Sequence, residues 1–220
     1  MQTGEFIAAF REAFGPVPEL PLLFRYTDEP LRPVEKVGGC FFKVLAQARG
    51  GQPVGLNAAN IGCGGGKFYT GFSPMPEFVP QFVSLRERYK QTPEMVLEFI
   101  AALDLRAAPK AWIEFVRVDA AGTFEGAEGV LFFATPDVLA GLVTWAGFDN
   151  DAPDAVAAPF GSGCSTVVSQ AVRENRNGGH RCFLGLFDPS VRPWVGAARC
   201  VQAACSEPMR GIKSASGLTT

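Results

Sequence analysis

Histidine is nearly absent from the 220 residues: His180 stands alone, so a Cys/His catalytic pair has a single candidate base. The six cysteines never take the C-x-x-C spacing, which removes the most specific signature of a metal site. No run of five Lys or Arg occurs, and the net charge of -2 with a pI near 5.5 offers no basic field for a phosphate backbone. Nucleic acid is therefore not an expected partner. No 18 apolar residues run consecutively, so no transmembrane span and no membrane partner are expected. The opening MQTGEFIAAFREAF carries Glu5 and a helical period, unlike a signal peptide. A cytoplasmic location follows, where cysteines stay as thiols or serve metal binding or catalysis. Repeats, low-complexity segments and internal linkers are also missing, which predicts one domain over residues 1–220 with 206–220 as a flexible tail. Nothing sets an oligomeric state.

Core material is plentiful: 47% of residues are hydrophobic and 19 are Phe, enough for a sizeable core without staples. Thr3 as N-cap before Phe6, Ile7, Phe10 and Phe14 predicts an amphipathic helix, stopped by Gly15 and Pro16. LLFRY (22–26) reads as a strand and Pro30 to Gly39 as a loop. A helix from Cys40 to Arg49 closes on Gly50 and Gly51. A short strand near Val54 to Asn57 leads into a glycine-rich site loop around Cys63. Thr92-Pro93-Glu94 opens a helix with a Met95, Phe99, Leu103 stripe, and Thr135-Pro136-Asp137 opens another with Leu139, Leu142, Val143 and Ala146. Segments 111–118, 129–135, 154–160 and 180–186 have strand character. Strands alternating with helices predict an α/β domain, alternatively α+β, with a mixed sheet and flanking helices.

Cys40, Cys63 and Cys164 each follow a glycine, in GGC, IGCGGG and GSGC, where a loop meets or precedes a helix. Cys182, Cys200 and Cys205 sit in strand-like stretches and read as core. Glycine beside cysteine lets backbone N–H groups approach a thiolate or a cluster sulfide. Three thiolates from separate loops suit a 4Fe-4S cluster with one open iron, or a zinc with one open position; simple packing of small residues is the other reading. Cys164, at a predicted helix start, is also a candidate nucleophile whose thiol the helix terminus would lower.

Three further motifs are partial. Gly161 and Gly163 begin a dinucleotide fingerprint that has Thr166 at its third glycine position, with Asp188 closing the next strand. GCGGGK departs from a P-loop, with Ile61 and Phe68 where Gly and Ser or Thr are required, although Lys67 could face an anion. Asp188-Pro189-Ser190-Val191-Arg192 reads as a turn and short helix with Asp188 as N-cap; Arg192 could clamp a carboxylate or pair with Asp188.

The phrases GGCFFKVLAQARGG, NIGCGGGKFYTGF, FVSLRERYKQTPE, LFFATPDVLAGL, FGSGCSTVV and LGLFDPSVR occur in an order that resembles the bacterial and archaeal family called domain of unknown function 169, over roughly residues 20–195. The resemblance implies cysteines at the positions of Cys40, Cys63 and Cys164. The ending VQAACSEPMRGIKSASGLTT departs from the family's more apolar, aromatic close, so it supports neither a last strand nor a role for Cys200 or Cys205. The resemblance brings no reaction with it. Three functions follow as expectations. One is a metal or iron–sulfur centre on the three cysteines doing redox or sulfur-transfer chemistry on a small molecule. Another is a metal-free module holding a small anion through Gly62, Gly64, Gly65, Gly66 and Gly163, with Lys67 and Arg192 as charge partners. The last is a thiol enzyme using Cys164.

Overall fold

The computed structural model describes residues 2–36, 38–148, 150–185, 188–196 and 200–204, with residues 189 and 200–204 as backbone only. In chain order the first elements are α1 (Thr3–Phe14), β1 (Leu22–Thr27), α2 (Phe41–Arg49), β2 (Val54–Leu56) and α3 (Gly64–Tyr69). Next come the short α4 (Val79–Gln81), a π-helical turn Phe82–Arg86, α5 (Pro93–Ala102), β3 (Trp112–Arg117), α6 (Val118–Ala121), β4 (Gly129–Ala134) and α7 (Pro136–Phe148). The last part holds β5 (Val156–Ala157), a second π-helical turn Ser165–Ser169, α8 (Gln170–Arg176), β6 (Cys182–Gly185), a 3-10 turn Pro189–Val191, α9 (Arg192–Val195) and β7 (Cys200–Ala204).

The strands form one mixed sheet in the order β2-β3-β1-β4-β7-β6-β5, antiparallel throughout except for the β5–β6 pair. Helices flank both faces, and the dominance of antiparallel pairing favours the α+β alternative. Strand alternation sorts the side chains. Leu22, Phe24, Tyr26, Ile113, Phe115, Leu131 and Phe133 face one core, packed under α2, α3 and the Ser165–Arg176 helix. Leu23, Val116, Val130, Phe132 and Cys182 face the other, under Phe6 and Phe10 of α1 and Leu142 of α7.

Several sequence expectations shift in detail. Gln2, not Thr3, caps α1, and its N–H donates to Glu5 Oε2 at 3.4 Å. On α5 the buried stripe is Val96, Phe99, Ile100 and Leu103, while Met95 is 41% exposed. Thr92 caps that helix as expected, its Oγ1 accepting from the Met95 N–H at 3.3 Å. Val143 of α7 faces outward. Strand 154–160 shrinks to two residues because Pro159 cannot donate to a ladder. The glycine run after Cys63 is a helical turn rather than a loop: Thr70 Oγ1 donates to the Gly66 carbonyl at 2.6 Å, and buried Phe68 and Tyr69 pack it down. Strand β7 exists between β4 and β6, where the ending had offered no support for one. Cys205 and the 206–220 tail lie outside the described residues. Among the described residues no helix is long and apolar enough to cross a membrane.

Candidate functional site

Cys40 is the N-cap of α2. The loop before it is pinned to β2, with the Gly55 N–H donating to the Arg32 carbonyl at 2.8 Å and the Val34 N–H to the Gly55 carbonyl at 3.3 Å. Buried Asn60 ties this loop to the approach of the second cysteine: its Nδ2 donates to the Val34 and Gly55 carbonyls, and its Oδ1 accepts from the Asn57 N–H at 2.7 Å. Cys63 caps α3, and its Sγ accepts the Gly66 N–H at 3.3 Å. Cys164 begins the second π-helical turn and lies beside Ser162, Oγ to Sγ at 3.6 Å. Glycine is required on its approach. A Cβ at Gly163 would stand 2.6 Å from the Phe42 ring and 2.7 Å from Val191, and one at Gly161 would stand 2.6 Å from the Phe99 ring.

These three segments meet at one cavity of about 350 Å³, lined by Cys40, Cys63 and Cys164 together. Its wall is rich in aromatic rings: Phe41, Phe42, Phe68 and Tyr69 come from the cysteine-bearing helices. Phe78, Phe82, Tyr89, Phe99 and Phe160 complete it from α4, the first π-helical turn, the segment after it, α5 and the end of the 154–160 segment. The first π-helical turn lines the cavity through Phe82 and Val83, and Cys164, the N-cap of the second, lines it too; such turns are rare and frequent at functional sites. Arg88, with φ of 58°, sits in the left-handed region between Glu87 and Tyr89, both of which line the cavity.

Asp188 is the polar centre of the lining. Buried, it accepts the Tyr89 hydroxyl at 2.9 Å and the Ser190 N–H at 2.8 Å on Oδ1, and the Gly163 N–H at 3.1 Å on Oδ2. It thus caps the turn Pro189–Val191, as the sequence predicts, and also locks the Cys164 loop to the Tyr89 segment. Burial, followed by the charge of Asp188, pushes the Glu87 carboxyl up.

The thiols respond the same way. Burial, then the charge of Cys63, pushes Cys164 well above the ordinary thiol range, with Cys40 and Asp188 adding to it and Ser162 opposing. The expected lowering at a helix start is therefore reversed, because burial of the thiol outweighs the Ser162 hydroxyl beside it. Burial also pushes Cys40 up, against donation from the Phe42 and Lys43 backbone amides.

Of the residues singled out from sequence, the cavity gathers Cys40, Cys63, Cys164, Gly64, Gly65 and Gly163. Gly66 lies beneath it as the donor to Cys63. Exposed Gly62, half-buried Lys67 and exposed Arg192 are outside the lining, and so is exposed His180. Cys182 is buried in the opposite core. Among the described residues no group of three or more His, Cys, Asp or Glu is arranged to hold a metal ion. Sequence reasoning missed Glu87, Tyr89, Lys90 and Asn60, although FVSLRERYK and NIGCGGG contain them; only packing reveals that they face or frame the cavity.

The chain belongs to the family called domain of unknown function 169, described as uncharacterised ArCR, whose model matches residues 21–203. No curated protein and no solved structure matches it.

Proposed function

For this member of a family without an established activity, we propose that Cys40, Cys63 and Cys164 hold an iron–sulfur centre of the 4Fe-4S kind at the wall of a cavity that admits a small molecule. The observation that carries the reading is that three cysteines from segments far apart in sequence line one cavity. An amide donor supports it: Gly66 N–H reaches Cys63 Sγ at 3.3 Å. Such donors stabilise negative charge on cluster-bound sulfur. Each thiolate raises its neighbours' cost of ionising, which a cationic centre would offset. With three protein ligands one iron would stay open to the cavity, and the centre would supply redox or sulfur-transfer chemistry there.

The aromatic wall would exclude water, and Asp188, by holding Gly163 and Tyr89 together, would keep the Cys164 loop in place. A reducing compartment is part of the reading, hence the cytoplasm; export of the native protein into an oxidising compartment would count against it. The test is anaerobic purification. Brown protein with broad absorbance near ~400 nm and about three to four iron and sulfide per chain is expected. Replacing Cys40, Cys63 or Cys164 by Ser should each abolish the colour, while Cys182→Ser keeps it. Protein that stays colourless and iron-free after reconstitution overturns the proposal.

A further inference from the structure

The cavity holds one acidic group that nothing in the fold uses. Asp188 already accepts from Tyr89, Gly163 and Ser190, and burial favours the neutral forms of Tyr69, Cys40 and Cys164. Glu87 lines the same space, and among the described residues no hydrogen bond or ion pair engages its carboxylate; its surroundings are burial and the like charge of Asp188. An unpartnered, half-buried carboxylate is a cost that a bound cation would remove. The rings around it point the same way, because aromatic faces attract cations. Lys90 already illustrates this, its Nζ lying 5.7 Å from the centroid of Phe99, and it is the single cationic residue in the described lining. Two carboxylates, three thiols and many ring faces outweigh that one ammonium.

We propose that this cavity binds a small molecule with a flat aromatic or similarly apolar body and a protonated amine, the body between the rings of Phe82, Phe99 and Phe160 and the amine against Glu87. A volume of about 350 Å³ suits a ligand of one or two rings. Anions are disfavoured by the same acidic lining, which turns the expected small-anion ligand into its opposite in charge. The inference stands beside the iron–sulfur reading and does not depend on it, since the recognition uses Glu87 and the rings rather than the cysteines.

The experiment is calorimetric titration of the full chain at neutral pH with four probes: benzylamine, benzoate, methylamine and benzyl alcohol. Benzylamine should bind at least about tenfold more tightly than benzoate or methylamine, because only it offers both body and cation. Glu87→Gln, which keeps the side-chain shape, should weaken benzylamine about tenfold and change benzyl alcohol by less than about twofold. Val83→Trp, at a half-buried lining position, should remove both. Benzoate binding as well as benzylamine overturns the proposal, as does an unchanged benzylamine affinity in Glu87→Gln or silence of both benzylamine and benzyl alcohol at ~10 mM. Should Val83→Trp fail to fold, Glu87→Gln alone decides. Iron content and the ~400 nm absorbance, measured on the same Glu87→Gln protein, should equal wild type, so failure here and failure of the cluster reading are told apart.

Discussion

The two faces of the sheet contain the same ingredients and use them differently. On the face under α1 and α7, Phe6, Phe10, Phe132 and Phe124 interlock ring on ring, with centroids 5.5 to 6.3 Å apart, and Cys182 is one more apolar filler. On the face under α2 and α3, phenylalanines stop short of closing and leave a cavity into which three cysteines, Asp188 and Glu87 project. Buried cysteine and abundant Phe are therefore not informative as residue types. What differs is the polar company they keep: around Phe6 and Phe10 ring packs on ring, with Trp145 Nε1 buried and unpartnered among the described residues, whereas the open face buries Asp188 with three donors beside a cavity.

If the closed face is purely structural, its largest response is to lost volume. Phe10→Ala should cost about 3–5 kcal/mol in denaturant unfolding, by lost burial plus the cavity left behind, without altering the proposed iron uptake. Loss of iron in a variant that remains folded would break the distinction between the faces.

The open face should reveal itself in alkali. Cys164 and Cys40 are both raised, so in metal-free, reduced protein the unfolded chain releases protons from these thiols first as pH passes their ordinary value near 9. Their contribution is complete below that pH and declines above it, by about 1.4 kcal/mol per pH unit while Cys164 stays protonated in the folded state. Cys164→Ser should flatten the decline, and Cys182→Ser should not. An equal decline in wild type and Cys164→Ser would show that the thiol cluster is not what the pH profile reads.

At neutral pH the comparison sharpens with one substitution on each face. Cys182→Ser places a hydroxyl in an apolar core and should cost about 1–3 kcal/mol while leaving the proposed cluster assembly intact. A smaller effect is expected from Asp188→Asn, about 1–2 kcal/mol, because one of its three donors then loses its acceptor. That variant also removes the like charge beside Glu87, so the Glu87 carboxyl, followed by carbon-detected NMR titration, should move down toward the ordinary range. An unmoved Glu87 would mean that burial alone raises it.

Local signals were readable wherever the cause is local. The Thr92 cap, the strand at Leu22, the glycines that end α2 and the glycine-cysteine pairs all depend on neighbours a few residues away. The stripe of α5 was read one position off because Met95 and Val96 are equally apolar, and only the neighbouring π-helical turn and the cavity decide which of them is covered. The helix over Gly64 to Tyr69 was hidden because three glycines oppose helix formation by propensity, while packing of Phe68 and Tyr69 favours it. Glu87 and Tyr89 look like solvated helix-end residues in sequence; the left-handed turn at Arg88 and the hydrogen bond to Asp188 are long-range facts.

Which cysteines line the cavity could be inferred from their glycine neighbours, since a small residue beside a thiol is a feature of backbone geometry that sequence records directly. That Cys40, Cys63 and Cys164 share one cavity, that Lys67, Arg192 and His180 are left out of it, and that Cys164 is raised rather than lowered were decided only by the packed sheet. Proximity between distant segments and the loss of water around a charge arise from the whole fold, and no window of residues carries either.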